Sequence, residues 1–450
     1  MTDVLIVGWG KGGKTLARAL AKAGRSVVVV EESALMYGGT CINIGCVPTK
    51  ALVHDGETRS PSDTPVAAFS AAVQRRDALT AAMRKKNYDM LDSEPGITLL
   101  DGRAVFTGPT HVSVATAEGP VEVSAETIVI NTGSRPARST VPGADGPRIH
   151  DSTTIQHVDP LPKHLVVLGD GPIGLEFASL FAHFGSQVTL LSHHTRIAPH
   201  DDADVAEALR DVLTVAGVDI VESTEVTRFD DDGERVVVTA SSSGTQRTWT
   251  ADAVLVATGR IPATDGLALD AAGVDTDPGG AIVVDDQLRT SAPHIYAIGD
   301  VHTGPKFTYL SLDDYRIVAD TLLGDGTRRV SDRVAVPTTT FVTPPLSQVG
   351  LTERAARDAG RTVRVTAKKV ADIATMPRPK IVGRTEGIIK AVVDAETDEI
   401  LGATLLCVDS QEVINTVALA MRHHVTATEL RDTIFTHPST TEAFNEVLAG

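Results

Sequence analysis

Cysteine is scarce in this chain: Cys41, Cys46 and Cys407 are the only three in 450 residues. That is too few for a disulfide scaffold, and in a cytosolic protein a close pair points instead to redox or metal chemistry. Positive charge is also in short supply. Against 58 Asp and Glu stand 41 Lys and Arg, for a formal net charge of −17. Such a surface repels phosphate backbones and anionic bilayers, so neither nucleic acid nor membrane is expected as a partner. No apolar run is long enough to span a bilayer. The segment Thr2 to Gly8 is short and has no basic leader, so no signal peptide is expected and the location is read as cytoplasmic.

What is present is organised in two similar units. Val4–Val7 leads into Gly8-Trp9-Gly10-Lys11-Gly12-Gly13, a helical run, and the segment Ser26 to Val30 with Glu31. Leu165–Leu168 leads into Gly169-Asp170-Gly171-Pro172-Ile173-Gly174, a helical run, and Gln187 to Leu191 with Ser192. A lone glycine fingerprint is a weak signal, but each copy here follows an apolar strand and opens a helix. Gly8 and Gly169 permit the tight turn, Gly10 and Gly171 let backbone approach a pyrophosphate, and Gly13 and Gly174 allow close helix–strand packing. The helix N-terminus then faces the phosphates.

The units differ at one position. Glu31 lies 23 residues after Gly8, and Ser192 lies 23 after Gly169. An acid there accepts from a ribose 2′-OH and repels a 2′-phosphate, so the first unit suits the adenosine of FAD. The second lacks the acid and is followed by His193, His194 and Arg196. Those residues suit a 2′-phosphate, which favours NADPH over NADH; the alternative is that the histidines are solvated loop residues. Further apolar strands are read at Thr127–Ile130, before Asn131-Thr132-Gly133, and at Ala253–Val256, before Ala257-Thr258-Gly259. Residues 57–65 read as a loop and 66–90 as a helix, and a boundary near 326–337 opens a distinct C-terminal domain.

The most specific segment is Gly38-Gly39-Thr40-Cys41-Ile42-Asn43-Ile44-Gly45-Cys46-Val47-Pro48-Thr49-Lys50. Metal sites use closer spacings with a second pair elsewhere, and Cys407 stands alone in an apolar run, an inert core thiol by expectation. Five steps of a regular helix span roughly 8 Å, beyond the roughly 7 Å that a disulfide tolerates. A Cys41–Cys46 bridge therefore needs a distorted first turn, to which Gly45 and Pro48 lend themselves. A strained bridge is easily reduced, hence catalytic. Lys50 and His54 share a helix face with Cys46. His54 precedes Asp55-Gly56, an expected helix end, where the helix dipole favours a histidine.

These segments, with Ala257-Thr258-Gly259-Arg260 and Ile295-Tyr296-Ala297-Ile298-Gly299-Asp300, resemble the class I flavoprotein disulfide reductases, a family that includes dihydrolipoamide dehydrogenase, glutathione reductase and mercuric reductase. The resemblance implies an α/β fold: two Rossmann-like nucleotide-binding domains plus a C-terminal α+β dimerisation domain. It places an FAD-binding domain at 1–147 and 265–330, an NAD(P)H-binding domain at 148–264, and the dimerisation domain of a homodimer at 331–450. It implies that Gly39, Thr40, Thr132, Gly133 and Asp300 join the FAD site, and Gly259 and Arg260 the NAD(P)H site. It pairs Lys50 with Glu176 beside the flavin, and makes His437, oriented by Glu442, a base for the thiols of the other subunit.

Within the class, Ala34 to Cys46, Phe307 to Arg316 and Leu405 to Ser410 resemble the bacterial reactive-chlorine-resistance flavoproteins, described as copper(II) reductases. Ser192 departs from that branch, where an acid is expected. The resemblance implies NAD(P)H-driven reduction of a small acceptor, Cu(II) held transiently by Cys41 and Cys46, or a disulfide of the dihydrolipoamide or glutathione type. A redox sensor is disfavoured by the complete nucleotide fingerprints. Mercuric reduction is disfavoured because Asn445 to Gly450 holds no extra cysteine pair.

Overall fold

Val4, Leu5, Ile6 and Val7 are apolar without alternation, and such a run is stable as a strand where both faces are covered. In the computed structural model, which describes residues 1–242 and 244–449, all four are buried in the strand Thr2–Val7. The chain forms two units: Met1–Ala51 with Val73–Ala137 and Gly259–Arg333, and Leu52–Ala72 with Arg138–Thr258 and the chain from Val334 onward.

In the first unit Thr2–Val7 lies between Val27–Glu31 and Gly119–Ile130, parallel to both. Ile97–Asp101 and Ile295–Ala297 extend the parallel part. Gly119–Ile130 does two jobs: its C-terminal half pairs with Thr2–Val7, and its N-terminal half runs antiparallel to His111–Thr116. This strand begins eight residues before the expected Thr127, because the antiparallel extension carries too few apolar residues to be read as sheet core. Helix Lys11–Lys22 follows the glycine turn, and the expected helix near 66–90 is Pro65–Asp92.

The second unit repeats the plan. Val218–Val221, Gln187–Leu191, His164–Leu168, Ala253–Val256 and Ile149–His150 form a parallel sheet in that order. The C-terminal portion is an antiparallel sheet ordered Thr338–Thr340, Leu346–Gly350, Ile400–Leu406, Ile388–Asp394, Val363–Lys369. Every residue of its two central strands is buried. Helix Ser410–Arg422 packs Val413, Ile414 and Val417 into the same core, where Cys407 is fully buried. Burial pushes the Cys407 thiol pKa up, as befits an inert core thiol. Two Rossmann-like domains and a C-terminal α+β domain are thus the architecture. Among the described residues no helix is long and apolar enough to cross a membrane. One expected boundary moves: the helix carrying His54 runs through Gly56 to Glu57, and Gly56 serves there for close packing, since a Cβ on it would stand 3.1 Å from the Phe184 ring.

Lys390, on a central strand of the antiparallel sheet, is buried with its Nζ 3.1 Å from Asp202, 2.9 Å from Asp204 and 2.9 Å from Glu353. Asp202 also accepts the Glu353 and Arg354 N–H groups at 2.9 and 3.1 Å. Burial works against the Asp202 carboxylate, but those N–H groups and Lys390 hold its pKa below the usual range. Lys390 and Arg357 do the same for Glu353. Carboxyls with depressed folded pKa values stabilise the fold above their unfolded values of about 4 and lose that contribution as the pH falls. Lys390→Met is expected to cost about 3 kcal/mol at neutral pH, read as a lowered urea midpoint. The gap from wild type should narrow as the pH drops below about 4; a gap independent of pH would contradict this account.

Candidate active site

Gly8 has φ +101°, and a Cβ there would collide with the Asn131 carbonyl. A Cβ on Gly10 or Gly13 would stand 2.5 or 2.7 Å from Asn131 Oδ1. The glycines thus let the turn close onto Asn131, whose Oδ1 accepts the Gly13 N–H at 2.9 Å and whose Nδ2 donates to Ile298 O at 2.8 Å. One amide joins the first glycine turn, the Asn131-Thr132-Gly133 turn and the strand end before Asp300. Glu31 is buried and accepts the Trp9 and Ser33 N–H groups at 3.1 and 3.2 Å. Burial pushes its pKa up to about 7 against the pull of those N–H groups. Ser134 Oγ donates to Asp300 at 2.8 Å.

Cys41 sits in the short helix Thr40–Asn43 and Cys46 starts the next helix, Cys46–Glu57. The expected distortion is therefore a break between two helices, at Ile44 and Gly45, where both N–H groups fall back on Thr40 O at 3.0 and 2.7 Å. The loop is pinned by Asn43 Nδ2, which donates to Tyr37 O and Gly39 O at 3.1 and 2.9 Å. Cys41 is half-buried and Cys46 exposed, and their side chains are in hydrogen-bond contact. That contact, with Thr308 and Lys50 acting against desolvation, pulls Cys46 well below the usual thiol range. The same contact and burial push Cys41 up. The pair is polarised, with Cys46 as the thiolate and Cys41 as the proton donor.

Two residues at this pair are missed by motif and spacing alone. Thr308 Oγ1 lies 3.5 Å from Cys46 Sγ; its signal was its place in the Phe307–Arg316 segment. Lys14, in the first turn of the helix after the glycine turn, is buried, donating to Asn87 Oδ1 at 2.6 Å and Gly38 O at 3.3 Å. Burial brings its pKa down to about 8, and its charge and that of Cys41 act on each other. Nothing in the spacing marks a lysine there as buried.

In the second unit Gly169 has φ +107°, and a Cβ on it would stand 2.7 Å from Ala257 O, while a Cβ on Gly171 would meet nothing within 4 Å. A Cβ on Gly174 would strike the Gly169 carbonyl. The turn is open only where backbone is expected to meet pyrophosphate. Ser192 is fully buried and accepts the His194 N–H at 3.0 Å, just as Glu31 accepts that of Ser33. His193 is exposed. Arg196 donates to Asp201 O at 2.7 Å. Glu176 is buried and accepts the Phe341 N–H at 2.8 Å; it belongs to this unit, Lys50 to the other. Gly259 and Arg260 also fall in the first unit, where Arg260 donates to Ser134 Oγ and O at 2.9 and 2.6 Å. His437 Nδ1 lies 2.9 Å from Glu442 Oε1, and Glu442 also accepts the Ser439 N–H at 2.8 Å.

Residues 2–314 match the model of the pyridine nucleotide-disulphide oxidoreductase family, and residues 336–448 match that family's dimerisation domain. The chain belongs to this family. It is accordingly an NAD(P)H-dependent flavoprotein oxidoreductase with FAD as cofactor, and its dimerisation domain supports a homodimer. The probable pyridine nucleotide-disulfide oxidoreductase RclA of Escherichia coli is 44% identical over 99% of this chain and 98% of that one. A mercuric reductase of Lysinibacillus sphaericus is 33% identical over 96% of this chain and 79% of its own length. The solved structure of the Cu(II) complex of HOCl-induced flavoprotein disulfide reductase RclA from E. coli covers 100% of this chain and 99% of that one, with a TM-score of 0.94 at 44% identity.

The family's cofactor fits the residues present. Buried polar atoms without a protein partner are rare, yet Thr132 Oγ1 and His302 Nδ1 have none among the described residues. Both flank the Gly133 and Asp300 turns. A Cβ on Gly133 would enter open space whose nearest atom is Thr40 Oγ1 at 4.0 Å. His302 Nε2 is fixed at 3.3 Å from Asp314, which also accepts the Gly299 N–H at 2.6 Å. Asp314 is buried, but His302, Gly299 and Arg333 hold its pKa below the carboxylate range. His302 is thereby oriented with its free nitrogen available to a polar group of FAD.

Polarisation of the thiols is directly measurable. In phosphine-reduced protein stripped of FAD, which otherwise covers Cys46, Cys46 is expected to react with iodoacetamide before Cys41 at pH 7, as read by peptide mass spectrometry. Lys50→Met should raise the midpoint of the rate–pH curve by about one unit, since losing a neighbouring cation disfavours the thiolate. Equal rates at the two cysteines would overturn the assignment.

Proposed function

We propose that this enzyme carries electrons from NAD(P)H through Cys41 and Cys46 to a metal ion such as Cu(II), in cytoplasmic defence against reactive chlorine. The observation that carries the reading is the dithiol geometry: two soft sulfur donors in mutual contact, Cys46 Sγ 3.5 Å from Thr308 Oγ1, in a loop fixed by Asn43 and Lys14. Sulfur ligands favour Cu(I), so binding the ion there promotes its reduction. RclA forms a Cu(II) complex, which supports copper as the ion.

Two Cu(II) ions each take one electron as the Cys41 thiol and the Cys46 thiolate close to a disulfide and release the one proton that Cys41 retains. FAD, when bound and reduced by hydride from NAD(P)H, supplies the two electrons that reopen it. Lys50 and Glu176 are assigned to the flavin neighbourhood. Gly8, Gly10, Gly13, Glu31, Gly39, Thr40, Thr132, Gly133 and Asp300 are assigned to FAD, with domain limits at 147, 264 and 330. Gly169, Gly171, Gly174, Ser192, His193, Arg196, Gly259 and Arg260 are assigned to NAD(P)H. NADPH is the favoured donor because position 192 presents a hydroxyl already bonded to backbone, with no carboxylate to repel a 2′-phosphate.

A second reading, reduction of a small disulfide, is favoured by the His437–Glu442 pair. Glu442 faces Nδ1, which leaves Nε2 as the ring nitrogen for a thiol proton. One-electron transfer to a metal ion has less need of that base.

The test is anaerobic reduction of holoenzyme with one equivalent of NADPH or NADH, then Cu(II), with Cu(I) trapped by a chelator. Two Cu(I) per enzyme dithiol are expected, faster from NADPH, with none above the free-FAD background in Cys41→Ser. His437→Gln should leave this rate nearly unchanged while lowering turnover of a disulfide by about a hundredfold. Thiols that survive Cu(II) but are consumed by a disulfide would replace the first reading with the second.

A further inference from the structure

Asp170 is the middle residue of the Gly169-Asp170-Gly171 turn, and His193 and His194 follow the neighbouring strand Gln187–Leu191. Their ligating atoms all lie within 4.8 Å of one another. His194 Nδ1 is 3.1 and 3.3 Å from the two Asp170 oxygens, and the two imidazoles stand 3.8 Å apart between centroids, tilted by 40°. Burial is graded: Asp170 is buried, His194 half-buried and His193 exposed. The backbone is fixed as well, for His194 N–H donates to Ser192 Oγ at 3.0 Å and His194 O accepts the Ser223 N–H at 2.8 Å.

This cluster has the donor set and spacing of a cation site. Two bonds of about 2.1 Å meeting at the tetrahedral angle separate their donor atoms by about 3.4 Å, close to the 3.1 and 3.3 Å between His194 Nδ1 and the Asp170 oxygens. A cation can take the place of the hydrogen bond between them with little movement. His193 then adds a third ligand and leaves open positions to solvent. Two imidazoles and one carboxylate suit borderline divalent ions, whereas Mg(II) and Ca(II) take oxygen ligands and Cu(I) takes sulfur.

We propose that Asp170, His193 and His194 bind a borderline divalent cation such as Zn(II), at a site that shares no residue with the Cys41–Cys46 pair. The cluster stands at the C-terminal ends of two parallel strands beside the second glycine turn, the place where a dinucleotide's adenosine ribose lies in this fold. Cation and NADPH therefore exclude one another. This second step rests on the assignment of His193 to the nucleotide; the cation site itself does not.

The experiment uses oxidised holoenzyme, in which the redox cysteines are a disulfide, titrated with Co(II) as the probe. One equivalent should give visible d–d bands without an intense sulfur-to-cobalt band, and Zn(II) should displace it. His193→Ala and Asp170→Asn should each weaken binding by about tenfold or more. His193 is exposed, so its removal leaves folding intact. Absence of the bands, or binding equal in wild type and His193→Ala, overturns the site. In parallel, Zn(II) should raise the KM for NADPH in wild type and not in His193→Ala. Cation binding that leaves this KM unmoved keeps the site and overturns the nucleotide assignment of His193.

Discussion

Asn131 stands where three backbone segments converge, and the FAD side of the molecule depends on that convergence. Its side chain bonds to Gly13 N and Ile298 O, and its own carbonyl passes so close to Gly8 that only hydrogen fits. The glycines of the first turn therefore answer first to a protein neighbour. Their effect on the cofactor is indirect: the turn can sit at the strand end only because no side chain holds it off. Once there, Glu31, Thr132, His302 and Asp300 are carried to the same end of the sheet by their own strands and turns.

The dithiol depends on the same arrangement. Gly39 lies against Gly10, where a Cβ would approach the Gly10 Cα to 2.8 Å, and Lys14 from the glycine-turn helix donates to Gly38 O. The loop that presents Cys41 is thus fastened to the turn beneath the FAD site. The asymmetry of the thiols follows from local chemistry: Cys46 gains Cys41, Thr308 and Lys50 as stabilisers, while Cys41 bears burial and the retained proton. A close pair with one thiolate is a ready two-electron donor, and for a metal ion also a pair of ligands.

Much of this is legible in the amino-acid sequence. Strands such as Val4–Val7 and Leu165–Leu168 are buried on both faces and so appear as unbroken apolar runs; glycine turns and the Cys41–Cys46 spacing are local in the chain. His437 and Glu442 are five residues apart, and their contact is a local one too. Less legible are features made by distant residues. Thr308 meets Cys46 across 262 positions, and Arg260 reaches Ser134 across 126. The helix expected to end near Gly56 runs on to Glu57, and the glycine there answers to Phe184, 128 positions away.

The sequence by itself determined the class of fold, the two glycine turns and the closeness of Cys41 to Cys46, because each is set by short-range patterns of apolarity, glycine and spacing. Tertiary structure decided the charge states and the companions of those groups. A lysine at position 14 reads as a surface residue until its helix packs and buries it, and Asp170 reads as one variable turn residue until two histidines from the next strand close on it. Burial and the approach of distant chain set pKa values and ligand sets, and neither quantity is written in local sequence.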